Sequence, residues 1–194
     1  MSADRYPPLH QIALPDFTEC SIATERLLTG KMIKVQLDQV RLPDGGESYR
    51  EYVLHPGAAI IAAFVDVDTL IFEYQYRHPP RRHFIELPAG KIDEGEPHFE
   101  TAQRELREET GYVAQHWTHA CTLDAGIGYS NEKIELYVAR DLIFKGHQRD
   151  AGEFMEVFTL KLDEAVAMVG RGEITDTKSA FSLLWLDKFR HTLT

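Results

Sequence analysis

Residues Gly90 to Tyr112 read GKIDEGEPHFETAQRELREETGY, and this stretch decides the fold. Gly90 to Gly95 is a turn-rich loop, with Glu94-Gly95 breaking the chain ahead of Pro97. Proline suits the first turn of a helix, where its missing N–H costs nothing. Good helix formers run from there to Thr110, and Gly111 fits the position just past a helix end. At the helical period Phe99, Ala102 and Leu106 share one face, the expected core stripe. Glu105, Glu108 and Glu109 fall together on the adjoining face, with Arg104 one turn from Glu108.

Two readings of that acidic face compete. In the first it is a solvated surface, the usual fate of helix charges. Against it, like charges one turn apart destabilise a helix by roughly 0.2–0.5 kcal/mol per pair. The carboxylates also crowd the last turns, where the macrodipole opposes each by about 0.3–1 kcal/mol. In the second reading a divalent cation reverses both penalties, and carboxylate oxygens together with substrate phosphates are what Mg²⁺ takes.

The stretch resembles the Nudix box, G-x5-E-x7-R-E-U-x-E-E-x-G-U with U apolar. Gly90, Glu96, Arg104, Glu105, Leu106, Glu108, Glu109 and Gly111 match in place, and Tyr112 stands where an aliphatic residue is usual. The resemblance implies that Glu105, Glu108 and Glu109 hold Mg²⁺, or Mn²⁺ in its place, with the carbonyl of Ala89 joining them. It implies that Arg104 keeps the carboxylates in register. Glu108 and Arg104 thereby count among the catalytic residues.

Upstream, residues 1–16 carry three prolines and read as an irregular arm. From about Thr18 to Leu54 the pattern is a meander of three antiparallel strands, with Pro43-Asp44-Gly45-Gly46 as its strongest turn. Such a sheet is too thin to stand alone. It resembles the N-terminal sheet of the ADP-ribose pyrophosphatase branch of the family, which builds a homodimer; a monomer with the sheet laid on its own domain is the alternative. The expected division is residues 1–54 for arm and dimerisation sheet and 55–194 for the Nudix domain. AAIIAAFV, from Ala58, is apolar on both faces like a buried central strand. Asp66 to Asp68 should turn it, and TLIFEYQYR should pair back on it.

Arg77, His78, Arg81, Arg82 and His83 then cluster immediately before FIELPAG and the box. A solvated basic loop is the plain reading. A cationic patch beside carboxylates and metal also suits a diphosphate, because guanidinium groups take phosphate oxygens in pairs. The QYR ending matches a family element, which makes Arg77 a substrate-binding residue, ahead of Arg81 and Arg82. Arg50 and Glu86 join it as substrate-binding candidates, although a strand glutamate such as Glu86 is more often simply exposed.

Downstream, two strands should flank the loop Asp124 to Glu132. In ADP-ribose pyrophosphatases a Ser-Pro-Gly segment precedes a (Ser/Thr)-x-Glu, and Gly126 to Glu132 aligns with it. That alignment makes Ile127 and Glu132 substrate-binding candidates, with Ile127 standing where proline is usual. GHQRDAGEFMEVFTL then reads as a loop running into a strand. In the branch such a loop supplies the general base; Glu153 aligns best and Glu156 is the alternative. Two helices close the chain, one capped by Asp163, the other by Thr175 or Asp176 and running through Phe189. Val166, Val169, Phe181 and Leu184 are expected to cover the sheet.

The whole chain sets bounds. Its 194 residues suffice for one domain with a small appendage. A net charge of −10 excludes a general nucleic-acid binder, which would show a basic footprint. No apolar run is long enough to span a membrane, and the N-terminus lacks a signal-peptide core. Cys20 and Cys121 lie far apart, as in a reduced cytoplasmic protein. The resemblance implies an α/β fold, the Nudix α/β/α sandwich with a mixed sheet preceded by a small N-terminal antiparallel sheet. It implies metal-dependent hydrolysis of a nucleoside diphosphate linked to X, with ADP-ribose first and GDP-mannose or UDP-glucose next. A non-catalytic nucleotide sensor is the reading from another class; an intact box and the lack of room for a DNA-binding domain count against it.

Overall fold

The computed structural model describes residues 12–146, 152 and 154–193. Most of the expected N-terminal arm, and Glu153, lie outside the described residues. The chain divides between Leu54 and His55 into two compact units.

In the first unit β1 (Cys20–Thr29), β2 (Lys34–Arg41) and β3 (Glu47–Leu54) pair antiparallel in that order. The turn between β2 and β3 is built where the sequence places it: Gly45 takes a φ of 87° and the Gly46 N–H donates to Asp44 Oδ1 at 2.9 Å. A positive φ is open to glycine at no steric cost. The carboxylate of Asp38, nearly buried, accepts from Ser21, Thr24, Gln36 and Tyr52, which ties the three strands together. Strand β1 is exposed along its whole length, including Ile22, Leu27 and Leu28.

The second unit is built on β4 (Ala58–Ala63), every residue of which is buried. Around it lie β7 (Ala89–Lys91), β9 (Lys133–Phe144) and β8 (Tyr112–Asp124), in the order β7-β4-β9-β8. Only the β4–β9 pairing is parallel, so the sheet is mixed. Alternate residues of β4 feed two cores. Ala59, Ile61 and Ala63 join Ala102 and Leu106 of α1 (His98–Thr110). Ala58, Ile60 and Ala62 join Leu162 and Ala165 of α2 (Leu162–Arg171) and Leu183 and Leu186 of α3 (Thr177–Phe189). Helices thus cover both faces, and the architecture is the α/β/α sandwich. Each fully buried Ile, Leu or Phe contributes about 1.5–3 kcal/mol.

Several expectations need correction. TLIFEYQYR does not pair back on β4. It forms β5 (Thr69–Arg77) of a separate antiparallel sheet, between β10 (Met155–Lys161) and β6 (Arg82–Glu86). Hydrogen-bonded pairing is limited to the turn after β4, where Phe64 bridges Leu70 and the Val65 N–H donates to the Thr69 carbonyl. The flanks of β4 are already taken by β7 and β9, so β5 must find other partners. Arg82 and His83 belong to strand β6 rather than to a loop. Pro97 and Lys161 occupy the helix-entry positions of α1 and α2, so Pro97 precedes the first turn and Asp163 sits inside it as a charge favourable to the dipole. Phe99 is half-exposed and packs edge-on against Trp117 instead of joining the stripe. In α3 the buried face is Ser179, Ser182, Leu183 and Leu186, and Phe181 and Leu184 point outward. Asp176 caps that helix, accepting from the Ser179 N–H at 3.1 Å. Among the described residues no helix is long and apolar enough to cross a membrane.

Candidate active site

The loop from Gly90 to Gly95 lies against α1 because Arg104 gathers it there. Its guanidinium donates to both oxygens of Glu96 at 3.0 and 2.9 Å, and to the Lys91 carbonyl at 3.3 Å. The same group donates to Glu105 at 2.7 Å and to Glu108 at 3.0 Å. Thr101, fully buried, donates its hydroxyl to Glu96 at 2.7 Å. These bonds hold the Glu96 carboxyl down to about 2, the Arg104 guanidinium contributing most. The Glu96 carboxylate and the Arg104 guanidinium therefore form a fixed frame, and Glu105 and Glu108 hang from it.

Glu109 is placed differently. It is 6% exposed and its Oε2 accepts the Ala89 N–H at 3.0 Å, so it orients the backbone of β7. Burial and the neighbouring charges of Glu73 and Glu105 push its carboxyl well above the ordinary range. Glu73 is completely buried on β5, and burial raises it to about 7. Its Oε1 has no hydrogen-bond partner among the described residues, while its carboxyl bonds to that of Glu109.

Glu73 stands directly across from Glu86 in the β5–β6 ladder, a like-charge pair that needs cations. Two supply them. Arg77 grips Glu86 through two 2.8 Å bonds, and Lys178 of α3 donates to the same carboxylate. Burial alone would raise the Glu86 carboxyl; its bonds to Arg77 and Lys178 outweigh burial and hold it below the usual value. Glu86, the substrate-binding candidate, is 2% exposed, against the plain reading of an exposed strand glutamate.

A cleft of about 740 Å³ borders this region. Ala89, Gly90 and Lys91 form one wall, Asp124, Gly126, Tyr129 and Glu132 another, and Lys178 and Phe181 a third. Glu132 lies 3.5 Å from His55, whose N–H donates to Asn131, and this pins the loop. Ile127 projects from the loop, 83% exposed.

The structure brings Ala89, Arg104, Glu105, Glu108 and Glu109 together, and sets Arg77 and Glu86 beside Glu73, which in turn touches Glu109. Arg82 is engaged elsewhere, donating to Thr175 at 2.9 Å and stacking on Phe84, and Arg81 occupies the turn before β6 with φ 56°. Arg50 lies on β3 in the first unit, bonded to Glu19, Ser48 and the Tyr49 carbonyl. Glu156 pairs with Tyr74 in the β10–β5 ladder. Side chains alternate along a strand, so Glu156 sits on the face away from Glu73. The sequence reading does not single out Glu73 or Lys178, and it takes Asp176 only as a helix cap. A glutamate inside LIFEY and a lysine at a helix entry were the available signals.

The donor set fits a hard divalent cation. At Gly90 an added Cβ would fall 1.8 Å from the Glu105 carboxyl, so the glycine makes room for that group beside the chain. Among the described residues no three acidic, His or Cys side chains form a ready-made cage. Hard divalent cations take carboxylate oxygens together with water and substrate phosphates.

The family profile of the NUDIX domain matches residues 54–181. The chain belongs to the NUDIX family. The ADP-ribose pyrophosphatase of Bacillus subtilis (strain 168) is 37% identical over 170 residues, covering 87% of this chain and 92% of that NUDIX relative. The methanol dehydrogenase activator of Bacillus methanolicus is also 37% identical, over 88% of this chain and 93% of its own. A crystal structure of an ADP compounds hydrolase shares the fold with a TM-score of 0.81 at 21% identity, covering 92% of this chain and 98% of that one.

Proposed function

We propose that this chain hydrolyses the diphosphate bond of ADP-ribose, giving AMP and ribose 5-phosphate. The observation that carries the reading is the frame in which Arg104 holds Glu105 and Glu108 while Ala89 orients Glu109, beside a cleft of about 740 Å³. Glu105, Glu108, Glu109 and the Ala89 carbonyl would hold Mg²⁺, with Mn²⁺ an alternative. When bound, such ions neutralise the diphosphate and acidify water. Arg104 fixes where the carboxylates stand and touches no substrate. Arg77, held on one edge by Glu86, offers the remainder of its guanidinium to a phosphate oxygen. Glu132 anchors the loop that faces the sugar. Glu153, outside the described residues, accepts the proton of the attacking water. The face occupied by Glu156 counts against the alternative.

The first unit, with Ile22, Leu27 and Leu28 exposed on β1, is read as a dimerisation sheet, and the protein as a cytoplasmic homodimer. A second substrate reading, an NDP-hexose, is favoured by one observation: Ile127 occupies the loop position where proline is usual. The test is kcat/KM with Mg²⁺ for ADP-ribose, GDP-mannose, UDP-glucose, NADH and diadenosine polyphosphates. ADP-ribose should lead. A hexose nucleotide turned over much faster would overturn the substrate assignment, and turnover of none would favour a sensor.

A further inference from the structure

A largely covered cation of the second unit, Lys178, lies outside the carboxylate frame and outside every candidate drawn from sequence. Lys178 is only 16% exposed at its side chain, and its ammonium donates to Glu86 and, at 2.7 Å, to Asp176. It lines the main cleft and also a smaller cavity of about 300 Å³ walled by Arg77, Pro79, Pro80 and Phe84. Asp176 in turn caps α3 and accepts from the Ser179 hydroxyl, and that hydroxyl accepts the Leu87 N–H at 2.9 Å. A chain of bonds therefore runs from the entry of α3 to Glu86 and Leu87, just ahead of Ala89.

Arg77, Glu86, Lys178 and Asp176 are two cations and two anions in contact. Their balance matters because Glu86 is buried, and a buried charge left without compensation is strongly unfavourable. Arg77 alone cannot both neutralise Glu86 and present its guanidinium to a phosphate. With Lys178 sharing the load, Arg77 keeps its bidentate grip on one edge and its charge remains available to an incoming anion. We propose that Lys178 is a positioning residue for substrate binding, acting on Arg77 through Glu86. This rests on the diphosphate reading of the cleft.

The mechanism predicts a definite coupling. Lys178→Met should raise KM for ADP-ribose by about 10- to 100-fold, the size of a lost charge-assisted contact. The change should leave kcat within about threefold, the signature of lost binding rather than lost chemistry. In a Glu86→Gln background, where Lys178 and Arg77 no longer share a carboxylate, the same change should alter KM by less than about twofold. A Lys178 that touched the substrate itself would add its full penalty in both backgrounds, and that result would overturn the proposal. So would a wild-type KM in Lys178→Met.

Thermal melting of each variant separates a folding defect from a binding one. If Lys178→Met does not fold, Glu86→Gln against the double variant still decides. The same cycle is read as Kd for ADP-ribose by calorimetry in EDTA, where nothing turns over. A protein that binds but does not hydrolyse would sink the activity reading while leaving the cycle to judge Lys178. Wild-type protein that does not bind ADP-ribose would overturn both.

Discussion

Gly90→Ala separates the demands of the fold from those of the site. The added Cβ would stand 1.8 Å from the Glu105 carboxyl carbon and Oε1, and 2.4 Å from Oε2. Ordinary carbon contacts need about 3.5 Å, so the carboxyl must retreat by roughly 1.7 Å. The clash is with the far end of a flexible side chain, and Gly90 does not occupy the left-handed region, so the backbone has no reason to move. What is lost is the 2.7 Å bond from Arg104 to Glu105. A single bond of this kind contributes about 1.5–3 kcal/mol when fully made, less at a site partly open to solvent. The melting temperature should fall by only a few degrees. Turnover should suffer far more, because displacement of a reacting group by about 1 Å costs on the order of a hundredfold, or about 2.7 kcal/mol of barrier. Initial rates with ADP-ribose and Mg²⁺, beside a melting curve, measure both. Wild-type kcat in a folded Gly90→Ala protein would show that Glu105 need not stand where the structure puts it.

Other consequences can be checked in parallel. Glu153→Gln should lower kcat by about 10²–10⁴-fold, the range for a lost general base, whereas Glu156→Gln should leave it within a few fold; stopped assays at saturating substrate decide. Asp176→Ala removes a helix cap worth about 1 kcal/mol and frees Lys178 and Ser179, so chemical denaturation should show a loss of at least that size. Glu96 is depressed to about 2 against an ordinary 4.5, chiefly by Arg104. Its contribution is therefore complete above pH 4.5 and disappears as pH falls toward 2, and Glu96→Gln should flatten the acid limb of a stability-versus-pH curve. Chelation should abolish hydrolysis, and added Mg²⁺ should restore it.

What the sequence disclosed follows from which forces are local. The 3.6-residue period, the glycine past Thr110 and the apolar run of β4 act within a few residues, and α1 and the central strand were legible from them. The box residues are read through spacing, and Arg104 indeed collects Glu96, Glu105 and Glu108. Three features had no local signal. The departure of β5 into its own sheet depends on β7 and β9 having taken both flanks of β4. The burial of Glu86 depends on a cation from elsewhere, since Lys178 meets it across 92 residues of chain. The phase of α3 is set by Ser179 and Ser182, small enough to lie against the sheet, so counting apolar residues placed Phe181 and Leu184 on the wrong side.

The most direct test of the account is to incubate the purified protein with ADP-ribose, with and without Mg²⁺, and resolve the products by anion-exchange chromatography. AMP and ribose 5-phosphate in equal amounts, formed only with the metal, are the predicted result. ADP-ribose recovered intact in the presence of Mg²⁺ would contradict it.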